Sequence, residues 1–148
     1  MSLLGICLAW ASAASTPVFV PTTAFTLAWT HSVERVRWEE DYQVSGSATT
    51  PPQLHLQEAR VRGSAAGMEP PADAVLERGW YRYRPATGAL EVLRLTRSAY
   101  TADYELCTET VPCLPMGHWL PSNGDITLLW PCSGAAPLRP PPAAGSSG

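Results

Sequence analysis

Apolar and polar residues alternate between residues 24 and 131 far more often than apolar ones recur three or four positions apart. Such alternation is typical of strands whose two faces meet different surroundings. It predicts a hairpin over residues 24–44, and further strands over residues 53–62, 79–84, 90–98 and 125–131. One face of the hairpin carries Phe25, Leu27, Trp29, His31, Val36, Trp38, Glu40, Tyr42 and Val44.

The strand spacing and the turn residues between strands predict an all-β fold. We expect a small antiparallel β-sandwich or open barrel of about six to eight strands with little helix. Fifteen Pro and eleven Gly among 148 residues argue against long helices, so a helical bundle is excluded. The length suits one domain.

The balance of charged residues indicates which classes of partner the protein can bind. All ten basic residues are Arg, and with 13 Asp and Glu the formal net charge is -3. Because phosphate backbones need a surplus of basic side chains, we expect no nucleic-acid partner. The cysteines lack a C-x-x-C pair and the three His are far apart in sequence. We therefore expect no metal site, and no cofactor.

The chain divides into three parts. Residues 1–14 contain a short apolar run that ends in Ala11-Ser12-Ala13, a pattern that a signal peptidase accepts. We interpret this part as a signal peptide or membrane anchor, with an ordinary buried strand as the alternative. Residues 15–132 form the single β-domain. Residues 133–148 are rich in Pro, Ala, Gly and Ser and are expected to be a disordered tail.

Without the first segment, three cysteines remain: Cys107, Cys113 and Cys132. They allow one disulfide and leave one thiol over, which fits an oxidising, extracytoplasmic compartment such as the periplasm. We favour a bond between Cys113 and Cys132, because both flank strand-like segments. A bond between Cys107 and Cys113 is the alternative.

Two ionisable residues, His31 and Glu40, lie on the apolar face of the hairpin. A tight connection at Glu34-Arg35 would place His31 opposite Trp38 and Glu40 one diagonal step away. A buried carboxylate needs a hydrogen-bonding partner, and an imidazole supplies one. The pair is either a structural polar pair in the core or an acid–base pair of a catalytic site.

Arginine residues suggest a second site. Arg62 ends a strand and leads into a glycine-bearing loop over residues 63–70, where backbone N–H groups and a guanidinium would bind a small organic anion. The more common role of such a loop is a turn with solvated arginines. Arg97 lies near the end of the strand predicted over residues 90–98 and is a further candidate for the same polar cluster.

Four stretches of the chain resemble a known family: residues 25–34, which end in His31-Ser32-Val33-Glu34; residues 39–42, with Glu40 and Tyr42; the loop over residues 63–68; and residues 95–98. Together they resemble the bacterial domain-of-unknown-function family 1850. The loop departs from the family pattern at Ala65, where a second Gly is expected.

The resemblance implies a cellular role beside a transporter but no particular chemical activity. Members look like small exported or membrane-tethered proteins that accompany TAXI-type TRAP transporters, which import organic solutes with an extracytoplasmic binding protein. It implies an accessory domain that binds the solute-binding protein, the membrane subunits or the solute, and it makes His31, Ser32, Glu34 and Glu40 the residues to test. The alternative is a small hydrolase or isomerase that uses His31 and Glu40.

Overall fold

The protein is described from a computed structural model that covers residues 3–12, 16–30, 35–47, 49–62 and 74–134. Within these ranges it consists of two antiparallel sheets, and the only helical element is a single 3-10 turn over Met116–His118. The sheets have four and seven strands and do not close into a barrel. The predicted all-β sandwich with little helix is confirmed. The described residues form eleven strands, more than predicted. One of them coincides with the segment interpreted as a signal peptide, and four have only two to four residues, too few to show alternation.

The smaller sheet has the strand order β2-β1-β11-β8. Its strand β1 lies between β2 and β11, and all neighbouring strands run antiparallel. The strands are β1 (Leu4–Trp10), β2 (Val18–Pro21), β8 (Leu93–Thr96) and β11 (Ile126–Ser133).

The larger sheet has the order β10-β9-β3-β4-β5-β7-β6. Its long central strands come from the hairpin and from the predicted strand that follows it. A β-bulge between Asp41 and Tyr42 interrupts the pairing of β4 with β5. The strands are β3 (Ala24–Thr30), β4 (Arg37–Ser45), β5 (Gln53–Arg62), β6 (Val75–Glu77), β7 (Trp80–Tyr83), β9 (Glu105–Thr108) and β10 (Leu114–Pro115).

The core lies between the two sheets. Alternate residues of the strands point inward, as the period of two requires. Both sheets contribute side chains that are fully or nearly fully buried to a single cluster, which includes Ile6, Leu8, Phe25, Leu27, Tyr42, Leu54, Leu106 and Leu129. A second, smaller cluster of Cys7, Ala9, Leu128, Trp130 and Cys132 lies on the other face of the four-stranded sheet.

The N-terminal apolar run forms strand β1 and takes the alternative form that the sequence allowed, a buried strand. Ile6, Cys7 and Leu8 are fully buried. Cleavage of a signal peptide at residue 14 stays a prediction, but it would remove a central strand from this sheet. At the other end, β11 continues to Ser133, one residue beyond the predicted domain limit. The predicted tail from residue 135 onward lies outside the described residues.

The cysteine pairing differs from the favoured prediction. Cys7 bonds Cys132, and Cys107 bonds Cys113, so no cysteine is free. The bond between Cys113 and Cys132 and the leftover thiol were wrong, and the alternative bond between Cys107 and Cys113 is confirmed. The error arose because Cys7 was assigned to a removable segment, whereas β1 pairs directly with the strand that holds Cys132.

The hairpin of β3 and β4 is present, but its register differs by two residues from the expected one. Trp29 pairs with Trp38, and Leu27 pairs with Glu40. A turn at Glu34-Arg35 would instead pair Trp29 with Glu40. The described pairing of the two strands ends at Thr30 and Arg37. Because a shift of two residues preserves the faces, the predicted division into an apolar and a polar face still holds.

Candidate functional site

Glu40 lies in the middle of the inner face of the seven-stranded sheet. Along β4 its neighbours on that face are Trp38 and Tyr42, while across the sheet it pairs with Leu27 on one side and Ala59 on the other. Tyr83 of β7 is the next residue in this row, opposite Ala59. Since Ala59 is small, no bulky side chain rises from the sheet between the carboxyl group of Glu40 and the ring of Tyr83.

The carboxyl group of Glu40 has one hydrogen bond from the described residues. The Tyr42 hydroxyl donates to Glu40 Oε1 at 2.6 Å. Burial raises the pKa of Glu40 above its usual value of 4.5, and the bond from Tyr42 opposes that change only in part. The carboxylate is half-buried, and no described cationic group lies within ion-pairing distance.

Aromatic rings surround this carboxyl group. The Trp29 and Trp38 rings are nearly parallel, with centroids 6.1 Å apart, and Tyr104 is tilted against Trp29 at 5.9 Å. Burial is the largest cause that raises the pKa values of Tyr83 and Tyr104, and the charge of Glu40 adds to it. Both phenols therefore stay protonated at neutral pH and remain available as hydrogen-bond donors. We call Trp29, Trp38, Glu40, Tyr42, Tyr83 and Tyr104 the Glu40 cluster.

One buried polar atom of the Glu40 cluster has no hydrogen-bond partner. The indole nitrogen Nε1 of Trp38 is buried and makes no hydrogen bond. A buried N–H group without an acceptor is unfavourable by about 1–3 kcal/mol. The cluster thus combines an unused donor with a carboxylate that has spare acceptor capacity.

The outer face of the same sheet is charged and extensively paired. Arg60 is central, because its guanidinium donates to Glu39, Asp41 and Glu58 at 2.7–2.9 Å. Arg37 extends the pairing to Glu105 of β9, and Arg82 extends it towards Glu77 of β6. These eight charged side chains come from five strands and span six, because β3 lies between β9 and β4. We call them the outer ribbon: Arg37, Glu39, Asp41, Glu58, Arg60, Glu77, Arg82 and Glu105.

A shallow groove of about 530 Å³ lies along the outer face beside the ribbon. Asp41, Arg60 and Glu109 contribute its charged groups, while Gln43 and Gln57 contribute amides. Burial acts to raise the pKa of Asp41, but the bonds from Arg60 and Thr26 outweigh it, so this pKa lies below 3.8. The backbone and hydroxyl of Thr23 hold the pKa of Glu109 below 4.5. Both carboxylates are therefore ionised at neutral pH.

Arg97 has a structural partner. Its guanidinium is only 2% exposed and binds Asp103 through two hydrogen bonds of 3.0 Å, while Nη1 donates to Thr127. Asp103 also accepts the backbone N–H of Gly117. The pair therefore joins β8, the loop after it and the 3-10 turn. A ligand would reach this guanidinium only if the loop after β8 moved away. The role of Arg97 in a ligand site stays a prediction.

Arg62 lies on the outer face, where its guanidinium carbon is 5.3 Å from the centroid of the Trp80 ring. Because Glu40 points to the inner face, the structure does not bring Arg62 and Glu40 together. Of the other predicted site residues, His31, Ser32 and Glu34 lie outside the described residues. The same holds for the glycine-bearing loop over residues 63–70.

The outer face carries a serine–histidine pair that no sequence motif indicated. Ser45 Oγ and His55 Nε2 are 3.0 Å apart across β4 and β5, on the outer face. A catalytic dyad has this geometry, but within the described ranges no carboxylate orients the second ring nitrogen of His55. Strict alternation along residues 53–62 would place His55 on the face of Ala59 and Val61, and only the bulge in the pairing turns it to the outer face beside Ser45.

Two kinds of feature are missing from the described residues. They contain no group of three or more His, Cys, Asp or Glu side chains that would hold a metal ion. No helix among them is long and apolar enough to span a membrane.

Comparison with known proteins gives one match. Neither the curated proteins nor the solved structures include a significant match to the chain. The family model that matches is described as Domain of unknown function (DUF1850), and it covers residues 25–113, from β3 to the second cysteine of the Cys107–Cys113 bond. This range holds the whole Glu40 cluster and the whole outer ribbon. The chain therefore belongs to the DUF1850 family.

Proposed function

We propose that this protein is a non-enzymatic, extracytoplasmic accessory domain that assists a TAXI-type TRAP transporter in the uptake of organic solutes. It acts by binding a component of the transporter, either the solute-binding protein or a membrane subunit. The family context that the resemblance implies is one support for this proposal. The two disulfides, which suit an oxidising compartment, are another.

The outer ribbon is the observation that carries the proposal. Its eight side chains form a continuous set of ion pairs, so the charges are fixed in position. Five of the charges are carboxylates and three are arginines, which leaves a net charge of -2. A surface with a fixed charge pattern favours recognition and orientation of a protein partner more than it adds to affinity. The partner surface would be basic.

Capture from membranes tests the proposal. The tagged protein is incubated with source membranes that have been solubilised in a mild detergent, and bound proteins are identified by mass spectrometry. We expect to recover a TRAP component. Glu105→Lys, which reverses one charge of the outer ribbon, should reduce recovery by about tenfold, the effect of 1.4 kcal/mol.

Glu91→Lys is the matched control. It makes the same charge change at an exposed residue just before β8 of the other sheet and should leave recovery unchanged. Recovery of no TRAP component by the wild-type protein would contradict the proposal. Equal losses with the two variants would show that net charge, and not the outer ribbon, governs binding.

A small hydrolase or isomerase that uses His31 and Glu40 is the second candidate function. The observation that favours it is the raised pKa of the half-buried Glu40, since general acids and bases often have such values. Incubation of the protein with solutes of the transporter, followed by NMR of the mixture, tests it. Turnover that His31→Ala and Glu40→Gln both abolish in folded protein would support an enzyme. Solutes recovered unchanged would count against one.

A further inference from the structure

We propose that the Glu40 cluster is a binding site for a small organic cation that also carries a hydrogen-bond acceptor. The inference concerns the inner face of the sheet and does not depend on the outer ribbon or on a transporter partner. Three features of the cluster support this site: the unneutralised charge of Glu40, the half-buried aromatic rings around it, and the unpaired Trp38 N–H group.

The first feature is the charge of Glu40. The arginines of the outer ribbon lie on the opposite face of the sheet and are bonded to other carboxylates. Arg97 is held by Asp103. Within the described part of the chain, the groups around the Glu40 carboxyl are therefore tyrosine hydroxyls and rings. A carboxylate in such surroundings attracts a cation from solution, because it has no protein cation to neutralise it.

The second feature is the set of ring faces. Cations bind to the faces of Trp, Tyr and Phe rings within about 6 Å of the centroid, with about 0.5–2 kcal/mol for each contact. Trp38 and Tyr42 flank Glu40 along β4, and Tyr83 lies beyond the small Ala59 in the same cross-strand row. Neighbouring strands are about 4.8 Å apart, so Glu40 and Tyr83 are separated by about two strand spacings. Trp38, Glu40 and Tyr83 are each half-buried and not sealed in the core, so a small cation can reach them from solution.

The third feature selects the kind of cation. Trp38 Nε1 is buried without an acceptor. Glu40 lies two residues further along β4, on the same face of the sheet. A ligand that brings a hydroxyl or carbonyl oxygen next to its cationic group would accept from this N–H while its charge rests against Glu40. A hydrocarbon cation without an oxygen would leave the N–H unpaired and should bind less tightly.

Choline and 3,3-dimethylbutan-1-ol form the probe pair, because they share size and hydroxyl group and differ in the charge. Binding is followed by the indole N–H signals of ¹⁵N-labelled protein, which has six Trp residues. The Trp38 signal is assigned by its loss in Trp38→Phe. We expect choline to shift the Trp38 signal with a Kd in the millimolar range or below, tetramethylammonium to bind more weakly, and the neutral alcohol to bind at least about tenfold more weakly than choline.

Glu40→Gln should weaken choline binding by about tenfold or more, while Glu105→Gln, the same charge change on the outer face, should have no effect. Retained folding is checked by circular dichroism. If Glu40→Gln does not fold, Tyr83→Leu, which removes a ring from the Glu40 cluster, serves as the second variant and should also weaken binding. Equal binding of choline and the neutral alcohol, equal effects of the two glutamate variants, or no binding of either cation would each overturn the proposal.

Discussion

Three consecutive acidic residues of β4 show how alternation assigns different roles to similar side chains. Glu39 and Asp41 point to the outer face and bond Arg60, whereas Glu40 points inward and bonds Tyr42. The pKa of Glu40 is raised by burial, and the pKa of Asp41 is lowered by the net effect of its bonds. Glu40 and Asp41 are adjacent in the strand, yet their pKa values are shifted in opposite directions.

Arg60 is the residue on which the outer ribbon most depends. Its side chain is 16% exposed and serves three carboxylates. We expect Arg60→Ala to lower the free energy of unfolding by about 2–3 kcal/mol, because Glu39, Asp41 and Glu58 would repel one another without a cation between them. Urea unfolding at neutral pH measures this.

Arg60→Lys is the informative control, since an ammonium cannot reproduce the forked geometry of a guanidinium. Arg60→Lys should recover only part of the unfolding free energy that Arg60→Ala loses. Full recovery by Lys would mean that charge alone matters, and an Ala variant as stable as the wild type would show that the ion pairs contribute nothing to stability.

Among the elements, strand β1 has the largest consequence for the fold. It pairs with β2 on one side and β11 on the other, sends Ile6 and Leu8 into the core, and is fixed to β11 by the Cys7–Cys132 bond. The second bond, Cys107–Cys113, spans only six positions and connects β9 with the segment that leads into β10. The two disulfides should therefore differ sharply in how much they stabilise the folded protein.

We expect the double variant Cys7→Ala and Cys132→Ala to lose about 4–5 kcal/mol, because a link between residues 125 positions apart strongly restricts the unfolded chain. Cys107→Ala with Cys113→Ala removes a bond that closes a much shorter loop. This variant should lose only about 2 kcal/mol of unfolding free energy. Thermal unfolding of both variants compares them directly. Similar losses would contradict this account of β1.

At the scale of the whole molecule, the two faces of the seven-stranded sheet respond differently to pH. Asp41 and Glu109 have lowered pKa values in the folded state, so they contribute stability that is present at neutral pH and is lost as the pH falls through those values. Glu40 has a raised pKa, so the folded state favours its protonated form. Its contribution is present at low pH and is lost as the pH rises through the raised value.

We therefore expect the free energy of unfolding to increase as the pH rises towards about 4 and then to decrease once Glu40 ionises, above its usual value of 4.5. Glu40→Gln should remove the decrease, since the amide keeps an oxygen for the Tyr42 hydroxyl but carries no charge. Asp41→Asn should remove part of the increase at low pH. Guanidinium unfolding across the pH range measures both, and a wild-type profile that Glu40→Gln leaves unchanged would contradict the assignment.

How much of this could be predicted from the sequence varies with the range of the interaction. Alternation over residues 24–44 fixed the faces of β3 and β4, and with them the inward position of Glu40, because the period of two is a local property of strands. In β5 the bulge opposite Asp41 and Tyr42 breaks the alternation, so its faces did not follow from the sequence. The outer arginines and acids were also visible as a polar face. The sequence did not reveal that Arg60 would join three carboxylates, because those side chains meet only across the paired strands.

The sequence by itself determined the all-β class, the inner and outer faces of β3 and β4 and the absence of a basic surplus, since each depends on residue types within a few positions of one another. Only the tertiary structure decided the register of the hairpin, the partner of Cys132, the place of β1 in the core and the aromatic surroundings of Glu40. These depend on pairing between distant segments, such as Cys7 with Cys132 across 125 positions, and no local pattern specifies which strand lies beside which.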